Sequence, residues 1–347
     1  MRDGRRTTTT SGTRYLAAGA VVVALGLGGA ALVLWGDAAP RRADGDTTGA
    51  GEGAAPPALA PGALDEVLTS ARGLIDRGEF QKALTVLESA LAQQPGEQAL
   101  HVMHAESLLG LRRLEDAYGA YERALASGTR TGDLEFAAGT TASMIGRLDR
   151  AEEHYQAAQA QMKGDHRPSL FLAQVQLKLR KVDEAKASLL IAGRLEPNSA
   201  VVWGTLAQVA LDENKATLAQ QHAARARELE PRVTLWRLLE ARALRRQGKA
   251  EDALLILTAL EPAEQRQGPV LSLIGECFGL LGRPAEAAAR YAAAADALPT
   301  DGPLALETAL WFERAGNAER ALHYARHARM LAVQEAAPVV ERLSKDE

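Results

Sequence analysis

The sequence predicts an all-α fold, a solenoid of eight helix-turn-helix units of 34 residues each, preceded by one transmembrane helix. Three observations predict the solenoid. Alanine recurs every 34 residues at Ala83, Ala117, Ala151, Ala185, Ala219, Ala253, Ala287 and Ala321. Counted from Leu64 this is position 20 of each unit, and position 8 (Ala71, Ala105, Gly139, Ala173, Ala207, Ala241, Gly275, Ala309) and position 27 (alanine except for Leu260) keep the same phase. Glycine and proline punctuate the unit, with Gly78, Gly146, Gly248, Gly282 and Gly316 at position 15 and Pro95, Pro197, Pro231 and Pro299 at position 32. A fixed period of this length marks stacked supersecondary repeats.

Each element follows from these marks. Small residues at positions 8, 20 and 27 suit helix crossings, because a branched side chain does not fit where axes approach to about 8 to 10 Å. Glycine at position 15 supplies the positive φ that ends a first helix, and proline at position 32 stops the second. The units are 64–97, 98–131, 132–165, 166–199, 200–233, 234–267, 268–301 and 302–335, followed by a C-terminal tail, 336–347. The pattern resembles the tetratricopeptide repeat, and the fifth unit carries the resemblance best, with Trp203, Leu206, Ala207, Ala219, Ala226 and Pro231 in the family's positions. The resemblance covers residues 64–335. It implies a right-handed superhelix whose first helices line a concave groove for an extended peptide or a partner helix.

Ahead of the array, residues 1–14 hold Arg2, Arg5, Arg6 and Arg14 against Asp3, and no charged residue occurs from Tyr15 to Gly36. Those 22 residues reach about 33 Å as a helix, enough for a hydrocarbon layer of roughly 30 Å. The basic flank places the N-terminus in the cytoplasm and the array outside, and the resemblance and composition imply the inner membrane of a bacterial-type cell. A cleaved signal peptide, leading to a secreted protein, is the alternative, with Gly36 and Ala38 as small residues before a cut. Ala20, Ala24 and Gly28 recur on one face of the span, a spacing that suits a homodimer through the membrane helix. Residues 37–63, rich in Gly, Ala, Pro and Thr, read as a disordered linker.

Charge and chemistry narrow the function. A net charge of -4 leaves no basic field for nucleic acid, and the single cysteine, Cys277, leaves no disulfide framework. His323 and His327 share a helical face at positions 22 and 26, as do His101 and His104 in the second unit, but neither pair has a third ligand. The first pair reads as solvated and the second as a packed, hydrogen-bonded core pair. No nucleophile elbow, phosphate loop or zinc-protease motif occurs, so neither catalysis nor a cofactor is expected.

First-helix positions 2, 5, 9, 12 and 13 should face the groove. At position 9 the fourth to sixth units present Gln174, Gln208 and Arg242, with Lys178, Arg245 and Arg246 at positions 12 and 13. Amide side chains at one repeat spacing suit the backbone of an extended peptide, and the cations favour acidic side chains or a terminal carboxylate. The resemblance departs from the carboxylate clamp of chaperone-binding members, because position 5 is filled by Leu68, Val102, Phe136, Leu170, Gly204, Leu238, Ser272 and Leu306. The expected function is a non-catalytic, membrane-anchored interaction scaffold. The alternative is an accessory or regulatory subunit of a membrane enzyme complex in envelope or polysaccharide assembly.

Overall fold

The computed structural model describes residues 62–345, and all regular structure within them is helical. The basic segment, the uncharged span Tyr15–Gly36 and nearly all of the linker lie outside the described residues; no described helix is long and apolar enough to cross a membrane. Hairpins follow in order: α1 Ala63–Asp76 with α2 Phe80–Gln93, α3 Gln98–Gly110 with α4 Leu114–Ser127, α5 Gly132–Met144 with α6 Leu148–Gln161, and α7 Arg167–Lys178 with α8 Val182–Leu195. Next come α9 Ala200–Asp212 with α10 Ala216–Leu229, α11 Thr234–Arg246 with α12 Ala250–Thr258, and the single turn α13 Pro262–Gln265. The chain closes with α14 Gly268–Leu280 and α15 Pro284–Ala297, α16 Gly302–Arg314 and α17 Ala318–Met330, and finally α18 Ala336–Leu343.

One turn geometry closes every hairpin. Position 15 has positive φ in all eight, the five glycines at 68 to 78° and Arg112, Arg180 and Asn214 at 59 to 63°. The next residue donates its N–H back to position 11, as in Arg113 to Leu108 at 2.9 Å and Lys249 to Leu244 at 3.0 Å, the Schellman closure that satisfies end carbonyls. Glycine reaches this conformation without strain, whereas a Cβ costs about 1 to 2 kcal/mol there.

The crossings are small because neighbours fill them. Every alanine at position 20 is completely buried, and so is every alanine at position 8. At Gly275, a Cβ would lie 2.7 Å from the Tyr291 ring. Where Leu260 replaces alanine at position 27, α12 stops short at Thr258 and Pro262 starts α13 under a capping box formed by Glu261 and Glu264. Position 4 ties units together: the His101 Nε2 lies 2.8 Å from the Pro95 carbonyl, and the Trp203 indole donates to the Pro197 carbonyl at 2.9 Å.

Consecutive first helices touch, α1 with α3, α9 with α11 and α11 with α14, while no consecutive second helices approach comparably among the described residues. The stack therefore turns its first helices inward. Residues 336–343, expected as tail, instead form α18, which buries Val339, Val340 and Leu343 against the last hairpin. It closes the apolar end that a bare solenoid would expose. Arg342 of α18 grips Glu313 of α16 with both arms of its guanidinium, at 2.9 and 2.8 Å.

Candidate functional site

Positions 5, 9 and 13 of a first helix stand one turn apart on one face, and stacking lines them into three parallel rows. The row at position 9 is polar and half-buried through seven repeats. Its ends are internally matched. Arg72 donates to Glu106 at 2.7 Å across the first two repeats, and Arg245, at position 12, meets Glu276 of the next repeat at 2.8 Å. Arg245 Nε is not aligned for a hydrogen bond, so this contact is an ion pair only. Burial pushes the Glu106 and Glu276 carboxyls upward, against the pull of Arg72 and of Arg245 with Arg242.

The middle of the row is less satisfied. Thr140 donates to the Phe136 carbonyl at 2.8 Å and accepts from the Tyr155 hydroxyl at 3.2 Å. Gln174 makes no side-chain hydrogen bond among the described residues. Gln208 donates to Asp212 at 2.8 Å while its carbonyl oxygen is buried without a donor. The Arg242 guanidinium makes no hydrogen bond or ion pair among the described residues; burial depresses its pKa, and Glu276 opposes that shift. Three consecutive first helices thus carry unspent hydrogen-bonding capacity facing the same way.

Of the six residues expected at the groove, Gln174, Gln208 and Arg242 share one row, and Lys178 lies one turn beyond Gln174, exposed. The two remaining arginines have structural work as well. Arg245 is bound to Glu276, and Arg246 donates to the Leu211 carbonyl at the end of α9. Sequence reasoning left Glu276 out of this set, although a step of one repeat from Arg242 lands on it. It also passed over Met144 and Leu280 at position 13, which are 55% and 56% exposed.

The remaining polar groups are structural. Glu135, completely buried, receives Arg130 at 2.7 Å and faces the Nδ1 of His154 at 2.8 Å, while the other ring nitrogen of His154 lies 3.1 Å from Glu122. This cluster joins the second repeat to the third. His104 departs from expectation: neither ring nitrogen is hydrogen-bonded among the described residues, and burial lowers its pKa. His323 and His327 line an open depression on α17, and no group of three or more metal-ligating side chains forms among the described residues. The Cys277 thiol is buried and pushed up to about 11, which leaves it protonated and inert at neutral pH.

Comparison with known proteins agrees with this architecture. The tetratricopeptide repeat family model matches residues 74–133 and 146–209. A tetratricopeptide repeat protein from Parabacteroides merdae, 15% identical, superposes over 67% of this chain and 92% of its own with a TM-score of 0.51. The C-terminal part of a TPR repeat-containing protein from Cytophaga hutchinsonii, 13% identical, does so over 79% and 99% with a TM-score of 0.50. At these identities the likeness shows the fold alone. No curated protein matches the sequence. The matched segments cover about a third of the chain, and the hairpins on either side of them continue the same helix-turn-helix architecture.

Proposed function

We propose that this chain is a non-catalytic scaffold, held at a membrane, that lays an extended segment of a partner protein along the inner face of its fourth to sixth repeats. The observation that carries the reading is the run of Gln174, Gln208 and Arg242, three half-buried polar groups in register on consecutive first helices with capacity to spare. A buried acceptor such as the Gln208 amide oxygen is ordinarily satisfied, and a peptide backbone supplies donors and acceptors along such a row.

The membrane part rests on sequence. The uncharged stretch Tyr15–Gly36 anchors the chain, the arginines before it hold the N-terminus in the cytoplasm, and the array works on the outer side of a bacterial-type inner membrane. Pairing through Ala20, Ala24 and Gly28 would bring two arrays together.

A photo-activated cross-linker at position 208 tests the docking face, with one at Leu255, 72% exposed on a second helix, as its counterpart. Cross-linking in intact cells followed by gentle detergent extraction should recover a partner from position 208. Recovery of one membrane enzyme there would assign the accessory-subunit role. Recovery from position 255 alone would remove the groove from consideration.

A further inference from the structure

The row at position 13 reads Asp76, Gly110, Met144, Lys178, Asp212, Arg246, Leu280 and Arg314. Two large apolar side chains therefore bracket a charged centre, and solvent reaches more than half of each. One turn away, Arg242 is half-buried, and the carboxylate that acts on its charge, Glu276, is already held by Arg245. Three guanidiniums, from Arg242, Arg245 and Arg246, act on that one carboxylate, which also feels Glu307 of the next repeat, while Asp212 is engaged by Gln208. The face thus offers Arg242 no carboxylate in contact and lacks apolar cover at two points on either side of it.

We propose that the partner segment is an extended peptide in which one Asp or Glu pairs with Arg242 while two large apolar side chains, on opposite sides of that acid, cover Met144 and Leu280. The proposal rests on the inner face being the docking face. Spacing makes it specific. Packed first helices lie about 10 Å apart, so the four repeat steps from Met144 to Leu280 span about 40 Å, or about 12 residues of extended chain. Arg242 is three steps from one end and one from the other. The acid therefore falls about nine residues from the first apolar residue and about three from the second.

Selection of random 16-residue peptides on phage tests this, using the full chain in mild detergent, with parallel selections on Arg242→Gln, on Met144→Ser/Leu280→Ser and on Gln174→Ala/Gln208→Ala. All substituted side chains are half-buried or exposed, and unchanged thermal unfolding confirms that each variant is folded. Wild type should enrich the unequal apolar–acid–apolar spacing in one chain direction. Arg242→Gln should lose the acid and keep the apolar pair, and the Met144/Leu280 variant the reverse. A synthetic consensus peptide should bind wild type at least about tenfold more tightly than Arg242→Gln by fluorescence anisotropy. If the enriched peptides lose binding in the glutamine variant yet carry no such spacing, this inference fails and the docking face stands. If wild type enriches nothing that the glutamine variant does not, both fail.

Discussion

Arg245 of the sixth repeat and Glu276 of the seventh stand 2.8 Å apart between consecutive first helices, and their pairing leaves Arg242 with no carboxylate in contact. The first two repeats show the same device, where Arg72 holds Glu106 at 2.7 Å. Matched pairs thus close the polar row at both ends. Between them the protein offers hydrogen-bonding groups that it does not itself use.

Stability should report the burial of Glu276. Its carboxyl is raised above the ordinary value of 4.5 by burial, more than Arg245 and Arg242 lower it, so the folded chain favours the protonated form. The sign follows: this group's contribution is full below the unfolded pKa and is lost as pH rises through the folded one. Glu276→Gln should therefore melt higher than wild type at pH 7, and the gap should close as pH falls toward 4.5. A gap of opposite sign at pH 7 would show that the ion pair outweighs burial.

The shared turn predicts a backbone effect without any packing effect. Gly248 has φ +78° and nothing within 4 Å of an added Cβ. Gly248→Ala should cost about 1 kcal/mol from conformation alone. Arg180→Gly, at φ 63°, should go the other way by less than about 1 kcal/mol. Denaturant unfolding of both variants measures the pair.

Removing α18 should loosen the array from its C-terminal end. Val339, Val340 and Leu343 cover the last hairpin, and nearest-neighbour interfaces carry a solenoid's stability. A chain ending at Glu335 should lose amide-exchange protection first in α16 and α17 and keep it in α3 to α6. Uniform loss along the array would mean that the repeats unfold as one unit.

Topology gives an independent check on the membrane reading. A reporter active only in the cytoplasm, fused after Glu347, should stay silent, and one active only outside should give signal. The opposite pattern would turn the array inward.

Much of the fold was legible because a repeat states each position eight times. Small residues at three offsets and glycine at the turn set register, helix order and inner face together. Arg112, Arg180 and Asn214 take the same turn without being glycine, because the paired helices on either side impose it, and asparagine tolerates that conformation. Helix α18 was missed because it has no second helix and so never completes a period; its Pro338 lies in the first turn, where the missing N–H costs nothing. The polar row at position 9 was readable, but its pairings were not. Whether Arg245 reaches Glu276, or Arg246 the Leu211 carbonyl, depends on side-chain reach between helices one repeat apart, which periodicity does not encode.

The most direct test is the affinity of the cross-linked partner, once recovered, for full-length Arg242→Gln. Burial already disfavours the charge of Arg242, so the variant should unfold no earlier than wild type. Truncating one side of a desolvated arginine–carboxylate pair costs about 2 to 5 kcal/mol, so binding should weaken by at least about thirtyfold at moderate salt. A folded variant that binds the partner as tightly as wild type would contradict the account and move the docking site off the inner face.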